Sequence, residues 1–411
     1  MCYSRNMFWI SWRKLAACAA VAGAAASLLC GYEFVRSASQ SLFISAYGRE
    51  RLPVVMALAP IGTLLFVYVY GRVLSRVGAR RAIVLTCLGS AALMILCFGG
   101  IVNGWRPASA ALYIAREGYI VLLVEQIWSF INSVVRSDEG RKLNGPICGV
   151  ASLGAIAGGF LVSRLPAGLS TSHLVTVAAV SLVPTALFAV MAYRLGGEPQ
   201  SGGGNSAVRD HLALDRFRSE PVLIRLALLV AVSQAISTAA DIAMSSQAAA
   251  AFPDVDDRTR WFGGLYARLN VWSAFFQFVA APLLLKILPL RAVHVAMPFV
   301  HFGSALWVLA RPSLASAAWA YMAFKVLDYS LFRAAKELLY IPLSFDARYR
   351  AKEVIDSFVY RLSKGGVSAG LAVAGTLSAV AFATYPVIQL AASSAWIVLA
   401  LGVPDVSKSE R

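Results

Sequence analysis

The sequence predicts an all-α membrane protein whose twelve transmembrane helices form two six-helix bundles around a central cavity. Three observations predict it. The 411 residues are 59% hydrophobic and only 14% charged, with mean hydropathy +0.68, more apolar material than a soluble chain can cover with polar surface. That material falls into stretches of roughly 20 residues, the length that crosses a hydrocarbon core. The two halves of the chain also repeat one another at a constant offset.

Gly, Pro and charge punctuate the apolar runs into spans near 15–46, 52–75, 82–103, 108–134, 143–164 and 172–194. A second set follows near 221–251, 260–287, 291–310, 314–341, 354–381 and 384–402. The first run, from Arg13-Lys14 to Cys30, imitates a signal peptide, and Ala22-Gly23-Ala24 imitates its cleavage site. Apolar character resumes after Arg36, so a retained span is expected. Between the sets, Leu195 to Glu220 carries Gly-Gly-Glu-Pro and Ser-Gly-Gly-Gly-Asn, the composition of a flexible linker. The expected division is therefore 1–194, a cytoplasmic linker 195–220, and 221–411.

Charge sets the orientation. Lys and Arg total 37 against 21 Asp and Glu, a balance that in a membrane protein reports cytoplasmic loops before it reports nucleic acid. With the amino terminus inside, the inner segments hold 21 basic residues, from Arg5, Arg13 and Lys14 to Arg348, Arg350, Lys408 and Arg411, and the outer loops hold 7. Both termini are expected in the cytoplasm. The six cysteines show no CxxC and no histidine at metal spacing, so neither disulfide, metal nor cofactor is expected.

Laid over one another with a shift of 208 residues, the halves place Glu33 on Asp241, Tyr113-Ile-Ala115 on Tyr321-Met-Ala323, and Asp138 on Asp346. Parallel six-helix repeats define a major-facilitator architecture. Gly71-Arg-Val-Leu-Ser75-Arg76-Val-Gly78-Ala-Arg80-Arg81 resembles the GxLxDRxGRR signature of that superfamily, with Ser75 in place of its Asp. Arg76 and Arg80 are assigned there to gating.

Ionised side chains at membrane depth cost at least about 2.5–3.5 kcal/mol and are functional candidates by default. The basic ones are Arg36, Arg116, Arg225, Arg268, Lys325, Arg333, Lys336, Arg361 and Lys364; the acids are Glu33, Glu117, Glu125, Asp241, Asp328 and Glu337, with Asp356 at the mouth of the eleventh span. Cations are in excess, which favours an anionic substrate. Glu33, Arg36, Gln40 and Tyr47 share one face of the first span, Gln234, Thr238, Asp241 and Ser245 one face of the seventh, and Asp356, Tyr360 and Lys364 one face of the eleventh. Arg36 and Lys364 are the leading anion contacts. Against this stands mutual neutralisation of Glu33 with Arg36, Lys325 with Asp328 and Arg333 with Glu337, all at i,i+3 or i,i+4, and snorkelling of Arg225, Arg333 and Arg361 near span ends. His294 and His301 read as packed core residues, and Gly149, Gly154, Gly158 and Gly159 as close helix packing.

Specific strings add a resemblance. Phe332-Arg-Ala-Ala-Lys336-Glu337-Leu-Leu-Tyr340-Ile341-Pro342-Leu343, then Lys352, Ile355-Asp356, Arg361 and Lys364-Gly365-Gly366, closely resembles the K-E-M-A-Y-I-P-L…G-K-A-A-I-D…R-x-G-K-S-G-G stretch of the ATP/ADP antiporters of plastids and obligate intracellular bacteria. Asp241 with Phe252-Pro253 and Gly263, and Trp128…Asn132…Glu139…Lys142, are similar to two further segments of that family. The resemblance implies exchange of nucleotides across a bacterial inner membrane by a monomeric carrier, with Glu117, Asp241, Lys336 and Lys364 at the family's charged positions. The chain departs at Ser39 and Ser245, where the family has lysines.

The expected function is exchange of an anionic, ATP/ADP-like solute by alternating access, with Arg36, Gln40, Glu117, Asp241, Lys336, Tyr360 and Lys364 binding substrate. Glu33, Glu125, Lys325, Asp328, Glu337, Asp356 and Arg361 serve as gating or structural charges. Carriage of another organic anion, or a sensor that has lost transport, are the alternatives. No H-x-x-x-D, G-x-S-x-G or H-E-x-x-H lies at a plausible interface, so an enzyme is not expected.

Overall fold

The computed structural model describes residues 11–135, 137–166, 168–198, 217, 220–341, 343, 352 and 354–403, and among these there are helices and connections but no strand. A bilayer permits little else, because each span must satisfy its own backbone polar groups. The first half holds α1 (Trp12–Tyr47), α2 (Leu52–Val77), α3 (Ala79–Val102), α4 (Pro107–Val134), α5 (Ser137–Ser163) and α6 (Thr171–Gly196). The second holds α7 (Pro221–Ala251), then α8 (Val255–Phe275, continuing through a π turn at Phe276–Ala280 into Ala281–Ile287) and α9 (Leu290–Ala310). It ends with α10 (Leu314–Leu327, a π turn at Asp328–Phe332, and Arg333–Tyr340), α11 (a π turn at Val354–Val359 leading into Tyr360–Leu377) and α12 (Thr384–Leu401). Ten of these helices are long and apolar enough to cross a membrane. The two that fall short, α10 and α11, contain π turns and carry charges within their spans, among them Lys325, Asp328, Arg361 and Lys364. Large apolar side chains such as Leu96, Leu187, Leu377 and Val398 point outward and are more than half exposed, as the outer surface of a multi-pass membrane protein requires.

The expected spans match these helices closely, and the differences have local causes. α8 begins at Val255 rather than 260 because Asp254 caps it, accepting from the amides of Asp256 and Asp257, with acids in the first turn. Hydropathy does not register a polar first turn. α11 stops at Leu377 rather than 381 because Ser378 becomes extended, although apolar residues continue. The linker residues 199–216, Asp346, and the basic residues Arg5, Arg136, Arg348, Arg350, Lys408 and Arg411 lie outside the described residues, as do the side chains of Asp138 and Arg141.

One apolar cluster runs within the first half from Ala17 to Tyr193, and a second within the other half from Leu223 to Val403. A third joins the halves, packing Phe43, Ile44, Leu52 and Met56 against Ala243, Phe262, Tyr321 and Tyr385. These residues lie toward the end of the bundle that carries the α1–α2, α5–α6 and α7–α8 connections, here termed the loop face. The opposite, terminal face carries the α2–α3 and α4–α5 turns. The loop face is also stitched by polar links between halves. Arg258 donates to the Ser41 carbonyl at 2.9 Å, Arg49 to the Ser246 carbonyl at 3.3 Å, and the Thr171 amide and hydroxyl to Asp256 at 2.7 and 2.6 Å.

The glycines of α5 make this packing possible. A Cβ on Gly154 or Gly158 would stand 2.2 or 2.4 Å from the carbonyls of Ala26 and Cys30 on α1, and one on Gly159 would strike the α8 backbone at Ala267. Gly149, in contrast, has open space around it, so it takes no part in that packing. Gly158→Leu is therefore expected to destabilise the detergent-solubilised protein by about 1–3 kcal/mol or more, while Gly149→Ala leaves the thermal midpoint unchanged; equal midpoints for both would refute the packing role.

Candidate functional site

Arg116 on α4 is the hub of the buried polar centre. Its guanidinium donates to the Arg36 carbonyl at 2.8 Å, to the Ser39 hydroxyl at 2.9 Å and to Gln40 Oε1 at 2.9 Å. It also lies 3.4 Å from Glu117 and 3.8 Å over the Tyr113 ring. Gln40 carries the chain across to the second half, donating to Ser245 Oγ at 2.8 Å, and Ser245 donates to Asp241 at 3.3 Å. Both serines at which the resembled pattern has lysine are thus wired into the network.

Arg36 donates to the Tyr321 hydroxyl on α10 at 2.9 Å, stands 3.7 Å over the Tyr266 ring and lies 3.5 Å from Glu33. Glu33 accepts from Asn270 on α8 at 2.9 Å, and its other oxygen is buried without a partner. Lys364 on α11 reaches back to Glu117 on α4 at 3.4 Å; these two side chains keep 20% and 25% of their surface exposed, so both are reachable. Tyr360, one turn before Lys364, is half-buried. Four cross-half bonds therefore converge here, made by Arg36, Gln40, Asn270 and Lys364.

The expected surplus of cations is absent from this centre. Arg36, Arg116, Lys325 and Lys364 are equalled in number by Glu33, Glu117, Asp241 and Asp328, four against four. Of the remaining charges, Lys336 and Glu337 have ion pairs of their own with Asp356 and Lys352. Arg268 and Arg333 are exposed, and Arg225 donates to the Gly402 carbonyl at the end of α12.

Lys336, expected at the substrate site, pairs instead with Asp356, about 16 Å along α10 from Lys325 by helical rise. Glu337 pairs with Lys352 at 2.6 Å and not with Arg333. Glu125 is exposed, two turns beyond Glu117 on α4, and Arg361 is half-buried within its field. Arg76 is exposed, and Arg80 offers its backbone amide to Glu198 at 2.9 Å, so an acid from the end of α6 caps α3 beside Gly78 (φ +77°). Ser75 donates back to the Arg72 carbonyl.

Sequence reasoning named Arg116 as an intramembrane cation but gave it no site role. Its neighbour Glu117 carries the more familiar signal, and adjacent residues on a helix point about 100° apart, so spacing alone favours neither. Asn270, Tyr266 and Tyr321 were also missed; Tyr321 is the repeat mate of Tyr113. His294 and His301 are buried against Phe332, Phe324 and Trp396 as expected.

No protein-family model matches the chain, and no curated protein matches it by sequence. Its fold does match solved structures. Over 94% of this chain and 98% of the other, it superposes on the nucleoside transporter NupG with TM-score 0.67 at 13% identity. It matches the partially occluded inward-open xylose transporter XylE from E. coli over 95% of this chain and 100% of that one, with TM-score 0.61 at 13% identity. A bacterial homologue of the iron transporter ferroportin, in its inward-facing state, gives TM-score 0.62 at 16% identity over 92% and 98%. The chain thus has the major-facilitator fold, an all-α membrane bundle.

Arg116→Ala removes one partner from several buried groups and is expected to cost about 3–5 kcal/mol. Arg116→Lys recovers only part of that, because an ammonium lacks the fork that spans Arg36, Ser39 and Gln40. Thermal unfolding in detergent reads both; a wild-type midpoint for Arg116→Ala would remove it as the hub.

Proposed function

We propose that this chain is a secondary transporter that moves a small organic solute bearing an anionic group by alternating access. The halves 1–194 and 221–411 act as the moving units and 195–220 as the tether between them. One observation carries the reading: four cross-half bonds, two of them fully buried, meet at a charge-balanced centre whose Glu117 and Lys364 remain reachable. A fixed structural core has no need of reachable charge at that depth. The incoming anion displaces Glu117 from Lys364, and the loss of that cross-half pair loosens the present arrangement. The positive-inside count supports both termini in the cytoplasm with the loop face outside, and the resemblance favours a bacterial inner membrane. The contacts that close the loop face then make this the state open toward the cytoplasm.

A second reading, exchange of ATP for ADP, is favoured by the strings at 332–343 and 352–366. The balanced centre weighs against a polyanion, since nothing there offsets three or four negative charges. Sequestered cations that repel until an anion arrives, the expected lock of an obligatory exchanger, have no counterpart in a neutral centre.

Counterflow in proteoliposomes tests both. Labelled AMP is expected to accumulate faster than labelled ATP when either is trapped inside unlabelled, with Lys364→Ala reducing flux at least tenfold. ATP counterflow exceeding AMP would restore the exchanger reading, and absence of flux for every organic anion and zwitterion offered would overturn transport.

A further inference from the structure

α10 carries two opposite charges, Lys325 and Asp328, that make no hydrogen bond or salt bridge with the central network. Lys325 is 6% exposed, yet it has no hydrogen bond or ion pair among the described residues. Its ammonium stands 6.0, 5.7 and 5.3 Å from the rings of Tyr321, Phe324 and Tyr329. Asp328, three residues on, is half-buried and likewise has no such partner among the described residues.

Side chains at i,i+3 on an α-helix reach one another, as Glu33 and Arg36 do. Lys325 and Asp328 do not, and the helix changes there to a π turn over Asp328–Phe332. A π turn shifts the register of the side chains it contains and is frequent at functional sites. Buried charges are stable only with partners, so the couple is built to be completed from outside the chain.

Its position is equally specific. Lys325 lies 208 residues after Glu117, at the equivalent place in the repeat. Glu117 is shared by Arg116 and Lys364, whereas Lys325 is claimed by neither half. Tyr321 borders it and accepts from Arg36, which joins the couple to the central network. Tyr329, 39% exposed, makes the third wall reachable.

We propose that Lys325 and Asp328 form the head-group subsite of the transported solute, and that this solute is zwitterionic with a planar ring. Its anionic group sits on Lys325, its cationic group on Asp328, and its ring stacks on Tyr329. A zwitterion leaves the four-against-four balance unchanged, as a polyanion does not. The inference rests on the transporter reading and names the substrate class of that same centre.

The test uses the full chain in detergent with three probes of one skeleton: L-phenylalanine, N-acetyl-L-phenylalanine without the cation, and phenethylamine without the anion. Calorimetric titration is expected to show phenylalanine binding at least tenfold tighter than either analogue. Lys325→Gln and Asp328→Asn should each abolish that binding, and Lys325→Arg should retain it, with circular dichroism matching wild type in all three. Equal binding of the N-acetyl compound, no binding of phenylalanine to wild type, or unchanged binding in Lys325→Gln would overturn the subsite. Selective phenylalanine binding lost in Lys325→Gln, in a protein that carries no flux in proteoliposomes, would uphold the subsite and overturn transport instead.

Discussion

A guanidinium at bilayer depth needs partners, and the surrounding helices give Arg116 three hydrogen bonds and leave its Nε, beside Glu117, without one among the described residues. It draws a backbone carbonyl, a hydroxyl, an amide oxygen, a carboxylate and an aromatic face onto one side chain. A carbonyl already used within α1 gains a second donor, which holds α1 and α4 at one spacing. Through Gln40 the constraint passes to Ser245 and Asp241 on α7. The same side chain therefore sets the geometry within the first half and the polar contact between halves. Low dielectric strengthens each of these bonds and makes the loss of any one expensive.

The apolar packing assigns different duties to the two ends of the bundle. At the loop face, backbone carbonyls, Asp256 at the amino end of α6 and the third apolar cluster hold the halves together. On the proposed alternating access, rocking of the halves would have to open these contacts while leaving α5 in place against α1, where Gly154 and Gly158 permit backbone approach that no side chain allows. Gly159 and Gly263 bring α5 and α8 together across the interface in the same manner. A contact made of backbone and glycine can slide without breaking specific side-chain bonds, whereas the Thr171–Asp256 pair must be exchanged for water. The loop face therefore combines a smooth bearing with a polar latch.

Much of the architecture was legible in the sequence because hydropathy reports the hydrocarbon thickness directly. Spans were misplaced only where polar chemistry extended a helix beyond it, as Asp254 does for α8, or ended it early, as Ser378 does for α11. The candidate site was less legible. Helical spacing brought Glu33, Arg36 and Gln40 onto one face, which is a local property, and Glu33 does meet Arg36. It could not show that Arg116 satisfies three α1 groups, that Asn270 reaches Glu33, or that Lys336 turns to Asp356 at the terminal face. Those are long-range choices made by packing. Counting intramembrane charge could not show which charges pair with one another: Lys336 turns to Asp356 and Glu337 to Lys352, away from the centre.

On the proposed reading a balanced centre still favours a charged solute. Arg36, Arg116 and Lys364 each face an acid that a ligand carboxylate or phosphate could replace, so the protein's own acids act as occupants of the site. Glu117 fills that role for Lys364 at 3.4 Å, a separation long enough to leave room for exchange. Lys325, with rings in place of an acid, has no such occupant. A ring face stabilises an ammonium by about 0.5–2 kcal/mol, less than an ion pair supplies in a water-poor setting. The difference between those two stabilisations is free energy held for the solute, and it is available only while Asp328 is kept from closing the pair itself.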